Sequence, residues 1–136
     1  MIYYIADNHF GHKNVIRFDN RPFADTVLMD EVLVHNWNER VTEDDTVYIL
    51  GDCFWKNEEN SVKLIQRLKG HKHPIRGNHD RVHGRLRFYY ESIEHYAEIN
   101  DNDRLVILCH YPIPFYKNQH YGAVMLYGHV HNTREQ

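Results

Sequence analysis

Cysteine is scarce in this chain: its 136 residues include only Cys53 and Cys109. Two thiols cannot build a disulfide framework, so they read as reduced cysteines of a cytoplasmic protein. Long apolar runs are missing too. None approaches the length of a membrane span, and no secretory h-region follows Met1. Basic charge is in short supply: Lys and Arg number 16 against 19 Asp and Glu, for a net charge of −3. That balance argues against bulk attraction to nucleic acid or to an anionic membrane. Repeats, low-complexity tracts and a P-loop pattern are all lacking. The length fits a single domain, 1–136, and 42% apolar residues are enough for a real core.

What the chain has in excess is histidine, 12 residues of it. Imidazole is the commonest side-chain metal ligand and the natural proton carrier near neutral pH. Position decides whether those rings are surface or site. The apolar pattern predicts strands at Ile2–Ala6, Thr46–Leu50, His73–Arg76, Ser92–Ile99, Leu105–Cys109 and Ala123–Tyr127. Asp25 is placed to cap a helix running to about Arg40, with Met29, Leu33, Trp37 and Val41 spaced along one face. Ser61 is expected to open a second helix, with Val62, Ile65 and Leu68 facing inward and Gly70 as its stop. Strand and helix alternate early, and strands dominate later, so an α/β domain with one mixed sheet or two packed sheets follows.

Polar residues of one kind recur where these strands end: Asp7-Asn8-His9, Gly51-Asp52, Gly77-Asn78-His79-Asp80, His110, and Gly128-His129-Val130-His131. In α/β folds ligands collect at the carboxyl ends of strands. Asp7 and His9, like His129 and His131, are two residues apart, so an extended backbone would point each pair to one side. The glycines allow a sharp turn at the strand end. Alone, a Gly-Asp is usually a turn and a single His a core or surface residue. Five such segments in one short chain make the site reading the better one.

In this order the segments resemble the calcineurin-like metallophosphoesterase family, and the opening Asp7-Asn8-His9-Phe10-Gly11-His12 is similar to that of small, capless bacterial and phage members. The motifs span residues 7 to 131. The resemblance implies a four-layer α-β-β-α sandwich, here shortened after His131, where family members usually continue with closing strands. A partner subunit could cover the lost sheet edge, so the oligomeric state stays open. The resemblance also implies two divalent metal ions, Mn²⁺ or Fe, with Zn²⁺ as a further option. One ion would take Asp7, His9, Asp52 and His131. The other would take Asp52, Asn78, His110 and His129, with Asp52 bridging. Two ions about 3.5–4 Å apart can clamp the attacking and leaving oxygens of a phosphoester. The implied reaction is hydrolysis of a phosphomonoester or phosphodiester by direct attack of metal-bound hydroxide. His79 belongs to neither ligand set and would stabilise transition-state charge or protonate the leaving oxygen. Asp80 would orient its ring, or else serve as a helix cap.

His12 and Arg21 are candidate substrate-binding residues, each with a surface role as the alternative. Cys53 and Cys109 flank Asp52 and His110 but should point away from the ions, into the core. Phe54, Trp55, Tyr111, Phe115, Tyr116 and Tyr121 fall near motif ends, as ordinary packing or as an aromatic rim. His35, His71, His73, His83, His95 and His120 receive no role. The expected partner is a small phosphoester, with neither a membrane nor, on charge, a nucleic acid. The competing functions are a non-catalytic interaction scaffold on the same fold and a small nuclease.

Overall fold

The structure is a computed structural model and describes residues 1–80 and 84–131. His83 therefore lies outside the described residues. Among the described residues six strands and three α-helices follow in the order β1 (Ile2–Ile5), α1 (Lys13–Phe18), α2 (Thr26–Arg40), β2 (Thr46–Ile49), α3 (Glu58–Ile65), β3 (His71–Pro74), β4 (Tyr96–Asp101), β5 (Arg104–Cys109) and β6 (Val124–Leu126). Short 3₁₀ turns occupy Gly84–Tyr89 and Gln119–Tyr121.

The strands form two sheets. In the first, β1, β2 and β3 are all parallel, with Ile5 opposite Ile49 and Ile49 opposite Pro74. In the second, β4 is antiparallel to β5, and β5 is parallel to β6. The α/β expectation therefore holds with two sheets rather than one. Parallel pairing has a direct consequence for function: the carboxyl ends of β1, β2 and β3 emerge on one edge, and so do those of β5 and β6.

The first sheet is covered on both faces. On one, Val47 and Ile49 pack with Val34, Trp37 and Val41 of the α2 segment and Leu64 of α3. On the other, Tyr4, Tyr48, Leu50 and Ile75 meet Ala97, Ile99, Val106, Leu108, Val124 and Leu126 of the second sheet. Each fully buried aliphatic side chain here contributes about 1.5–3 kcal/mol of transfer free energy. The far face of the second sheet carries Glu98, Ile107 and Met125 in register. The 111–118 segment lies over it, with Lys117 Nζ 3.2 Å from Glu98 and the Ile113 N–H 3.2 Å from the Met125 sulfur. Among the described residues no α-helix follows β4.

Asp25 caps α2 as expected, its carboxylate accepting the Leu28 N–H at 2.8 Å. The buried stripe differs slightly: Met29, Val34 and Trp37 are buried, whereas Leu33 is only half-buried. A spacing of four drifts off the 3.6-residue period, so the core face moves to Val34. Helix α3 starts three residues before the expected Ser61, because Asn57 supplies the cap by accepting the Asn60 N–H at 2.9 Å. It ends at Ile65, well before Gly70. Strand β3 sits two residues earlier than expected, and β4 begins only at Tyr96. No helix of the described residues is long and apolar enough to cross a membrane.

Candidate metal centre

The strand ends bring the five motifs together. Past β1 and β2 the two loops continue side by side, through Asp7 N–H to Gly51 O at 3.1 Å, His9 N–H to Asp52 O at 2.9 Å and Phe10 N–H to Cys53 O at 2.9 Å. Past β5 and β6 the Gly128 N–H donates to His110 O at 2.9 Å. The loops that leave the two sheets meet where the His129 N–H reaches the Asp7 carboxylate at 3.0 Å.

The backbone there is strained. Asp7, His9 and Asp52 all have φ 53°, His129 has 70° and His131 has 52°. Left-handed backbone costs a non-glycine residue about 1–2 kcal/mol. Strain of this kind persists where the surroundings over-determine it, and it gathers at functional sites. Gly51, at φ 88°, is needed for a second reason: a Cβ there would stand 2.3 Å from the His110 ring. At Gly77 a Cβ would stand 2.3 Å from Asp52 Oδ1. The His110 and Asp52 side chains lean directly over these glycines.

The side chains converge on a small volume. Asp7, His9 and His131 offer ligand atoms within 4.8 Å of one another, and so do Asp7, Asp52 and His110. Asp52 Oδ2 lies 3.8 Å from His9 Nε2 and 3.3 Å from His110 Nε2, between the two groups of histidines. Asn78 Oδ1 is 3.0 Å from the same His110 nitrogen. The His129 ring stands edge-on to His110 at 5.1 Å. The structure thus gathers all seven expected ligand residues. His9, Asp52 and His110 are buried, while Asn78 and His129 stay exposed at the rim.

Three histidines show which ring nitrogen is available. His110 Nδ1 is 2.8 Å from the Leu50 carbonyl, which can only accept, so Nδ1 carries the proton and Nε2 faces the site. His131 Nδ1 is 2.6 Å from Asp19, and its Nε2 is turned to Asp7 at 3.7 Å. His9 Nδ1 is 2.9 Å from His12 Nδ1. His9 Nε2 is buried without a hydrogen-bond partner and faces the Asp7 and Asp52 carboxylates at 3.9 and 3.8 Å. Metal-ligating histidines commonly donate their other ring N–H to a carbonyl or carboxylate, as His110 and His131 do. An orphaned buried imidazole nitrogen is otherwise costly. Imidazole, carboxylate and amide oxygen together suit a first-row divalent ion. The residues therefore fit such ions.

The charges respond to one another. Burial pushes the Asp52 carboxyl up, but the hydrogen bond with His110 and the His79 backbone N–H outweigh it and hold the carboxyl below its usual range. Burial pushes His110 down, yet the Asp52 hydrogen bond and the Leu50 carbonyl leave it above the usual imidazole value. The His12 ring is pushed below its usual value by burial first and then by His9 and His79.

Two expected roles change. Asp80 was expected to orient His79 or else to cap a helix. Instead its oxygens accept the backbone N–H groups of Gly77 at 2.7 Å, Asp52 at 2.8 Å and Cys53 at 3.1 Å. It staples two ligand loops together, and the His79 N–H is held by Asp52 Oδ1 at 2.9 Å. Arg21 was a candidate for substrate contact. Its guanidinium instead donates to the carbonyls of Asp7 and Asn8 at 2.7 and 2.8 Å and pairs with Asp19 at 3.3 Å. Those bonds brace the strained Asp7 loop. His12, by contrast, is at the site, bonded to His9 and stacked on Trp55 at 3.9 Å. His79 stands exposed at the rim, its ring 4.4 Å from Trp55. Cys53 is buried as expected, while Cys109 is only half-buried. Of the aromatic residues, Phe54 packs on Phe10, but Trp55, Tyr111, Phe115 and Tyr121 are exposed. The role-free histidines find partners elsewhere: His71 on Glu91, His73 on Ser92 and His35 on Glu39.

No family model matches the chain. An uncharacterized protein, MJ1445 of Methanocaldococcus jannaschii, is 35% identical over 132 residues, covering 96% of this chain and 69% of that protein. The chain belongs to the MJ1445 family. The gene 66 protein of Mycobacterium phage L5 is 36% identical over 85 residues, 60% of this chain and 40% of its own length. The solved structure of AQ665 from Aquifex aeolicus, a protein of unknown function, superposes with a TM-score of 0.70 at 30% identity. This chain spans 66% of that structure.

For this member of the MJ1445 family, the chief omission of sequence reasoning is Asp19. It meets His131 from 112 residues away and carries no motif signal. The Leu50 carbonyl that sets the His110 tautomer is invisible for the same reason. Trp55 was noted only as one aromatic among six.

Proposed function

We propose that the chain is a metal-dependent phosphoester hydrolase of the calcineurin-like metallophosphoesterase kind, using two divalent ions, Mn²⁺ or Fe, or Zn²⁺. The observation that carries this reading is the bare, buried Nε2 of His9 facing two carboxylates, beside His110 and His131 whose outer nitrogens are already bonded. Asp7, His9, Asp52 and His131 would hold one ion. Asp52, Asn78, His110 and His129 would hold the other. The position of Asp52 Oδ2 between His9 and His110 supports its role as the bridge. Two sheets face to face, with helices outside the first, support the sandwich reading, the 111–118 segment standing where a fourth layer would be.

Divalent ions at such a site bring water's pKa toward neutrality and offset phosphate charge. The protein's own part is separate. Asp80, Arg21 and Asp19 hold the ligand loops and rings in place. His79, exposed at the rim, offers an imidazole to the leaving oxygen. The open rim at Asn78, His79 and His129 favours small substrates, diesters among them. Hydrolysis of aryl phosphate mono- and diesters with added Mn²⁺ tests the proposal. Activity is expected, and rates undiminished in Asp52→Ala or His79→Ala would overturn the roles. Protein that binds no metal and hydrolyses nothing would instead be a scaffold.

A further inference from the structure

A cleft of about 700 Å³ opens beside His79, with Asn78 as the one proposed metal ligand in its described lining. Phe54, Leu86 and Tyr90 form its apolar part, Trp55 and Lys56 stand at one side, and Asn78 and His79 mark its end at the site. We infer that this cleft receives the leaving group of the substrate, and that this group is an uncharged alcohol bearing a planar aromatic ring, of the size and chemistry of a nucleoside. The inference rests on the phosphoesterase reading and adds a substrate class to it.

Three observations support it. First, the volume suits a group of that size, since pockets for small ligands run from about 300 to 1,000 Å³. Second, Trp55 keeps 41% of its surface exposed although its indole is held in place. The His12 ring lies parallel to the indole at 3.9 Å and 10°, and the Trp55 backbone N–H donates to Phe10 O at 2.7 Å. An exposed ring fixed in this way is prepared for stacking with a base. His79 meets the same indole at 4.4 Å, so the imidazole that would protonate the leaving oxygen stands between the metal ligands and the cleft. Third, among the described lining residues the cation is Lys56, and its Nζ is committed to Asp30 at 3.0 Å. Among its described lining residues the cleft thus offers an aromatic platform without a free cation for another phosphate, which favours a nucleoside there over a nucleotide or a strand.

Calorimetric titration of the Mn²⁺-loaded protein with adenosine and with ribose reads the cleft directly. Adenosine is expected to bind saturably and ribose not. Trp55→Leu should weaken adenosine about tenfold, the equivalent of about 1.4 kcal/mol, and Trp55→Phe should recover most of the loss. A kinetic arm compares adenosine 5′-phosphate with ribose 5-phosphate, and their methyl diesters, because the leaving alcohols are alike in acidity. A preference of about tenfold or more for the adenosine esters is expected, falling in Trp55→Leu. Equal rates together with no adenosine binding would overturn the cleft assignment and leave the phosphoesterase reading standing. Adenosine binding without hydrolysis of any ester would overturn the phosphoesterase reading and leave a nucleoside site.

Discussion

The buried floor of the site and its exposed rim are built in different ways. Asp7, His9, Asp52 and His110 sit at the floor, on left-handed backbone or against a glycine, and are tied by Arg21, Asp80 and the Leu50 carbonyl. Asn78, His79 and His129 stand at the rim with open surface around them. The floor spends backbone strain to fix ligand atoms within a few ångströms. The rim keeps its imidazoles accessible. The floor is braced by main-chain hydrogen bonds, and the rim side chains stay open to solvent.

The largest effect should come from the floor. Asp52→Ala removes the carboxylate shared by both groups of ligands, so elemental analysis is expected to find the paired ions gone and phosphoester hydrolysis lost. His79→Ala should separate rim from floor: metal content unchanged, with the rate down about 10²–10⁴-fold, as general acid catalysts typically contribute. Metal loss in that variant would break the distinction.

Asp80 sharpens the comparison further. Asp80→Ala leaves three backbone N–H groups without their carboxylate, and bonds to charged groups are worth about 1.5–3 kcal/mol each. Urea unfolding should show a loss of about 3 kcal/mol or more. A variant of unchanged stability but low turnover would return Asp80 to the chemistry. Asp19→Asn is expected to be milder, weakening metal affinity about 10–100-fold through the orientation of His131. Competition with a chelator measures it.

The smallest effect lies far from the site. Asp45 accepts from the Thr42 N–H at 2.8 Å and from the Met1 amine at 2.9 Å. The Thr42 N–H first, and then the amine, hold its carboxyl below the usual range. A depressed folded-state pKa stabilises above the unfolded value of about 3.9 and loses that stabilisation as pH falls through the folded value. The gap in Tm between wild type and Asp45→Asn should therefore be open at neutral pH and close on acidification below about pH 4. A gap that widens in acid would contradict the pairing.

Much of this could be read along the chain. Strand ends were legible because apolar runs stop at carboxylates and glycines, and a buried strand must turn at its end. Helix α2 was legible from Asp25 and the apolar stripe beyond it. The edges of α3, β3 and β4 were not, since Asn57 caps earlier than Ser61 and short polar strands such as His71–Pro74 carry no period. Side-chain partners were the least legible. Arg21 and Asp80 look like substrate and catalytic groups in sequence because their charge is visible there and their backbone partners are not.

The sequence by itself determined which residues are gathered: seven potential ligands and His79, each at the end of a strand, because parallel strands deliver their carboxyl ends to a common edge. Only the tertiary structure decided what each of them touches. Asp19 meets His131 across 112 residues, Leu50 meets His110 across 60, and Asp80 reaches Asp52 across 28. Hydrogen bonds of that range depend on which strands pair and on how the two sheets pack, and no local pattern of residues encodes either.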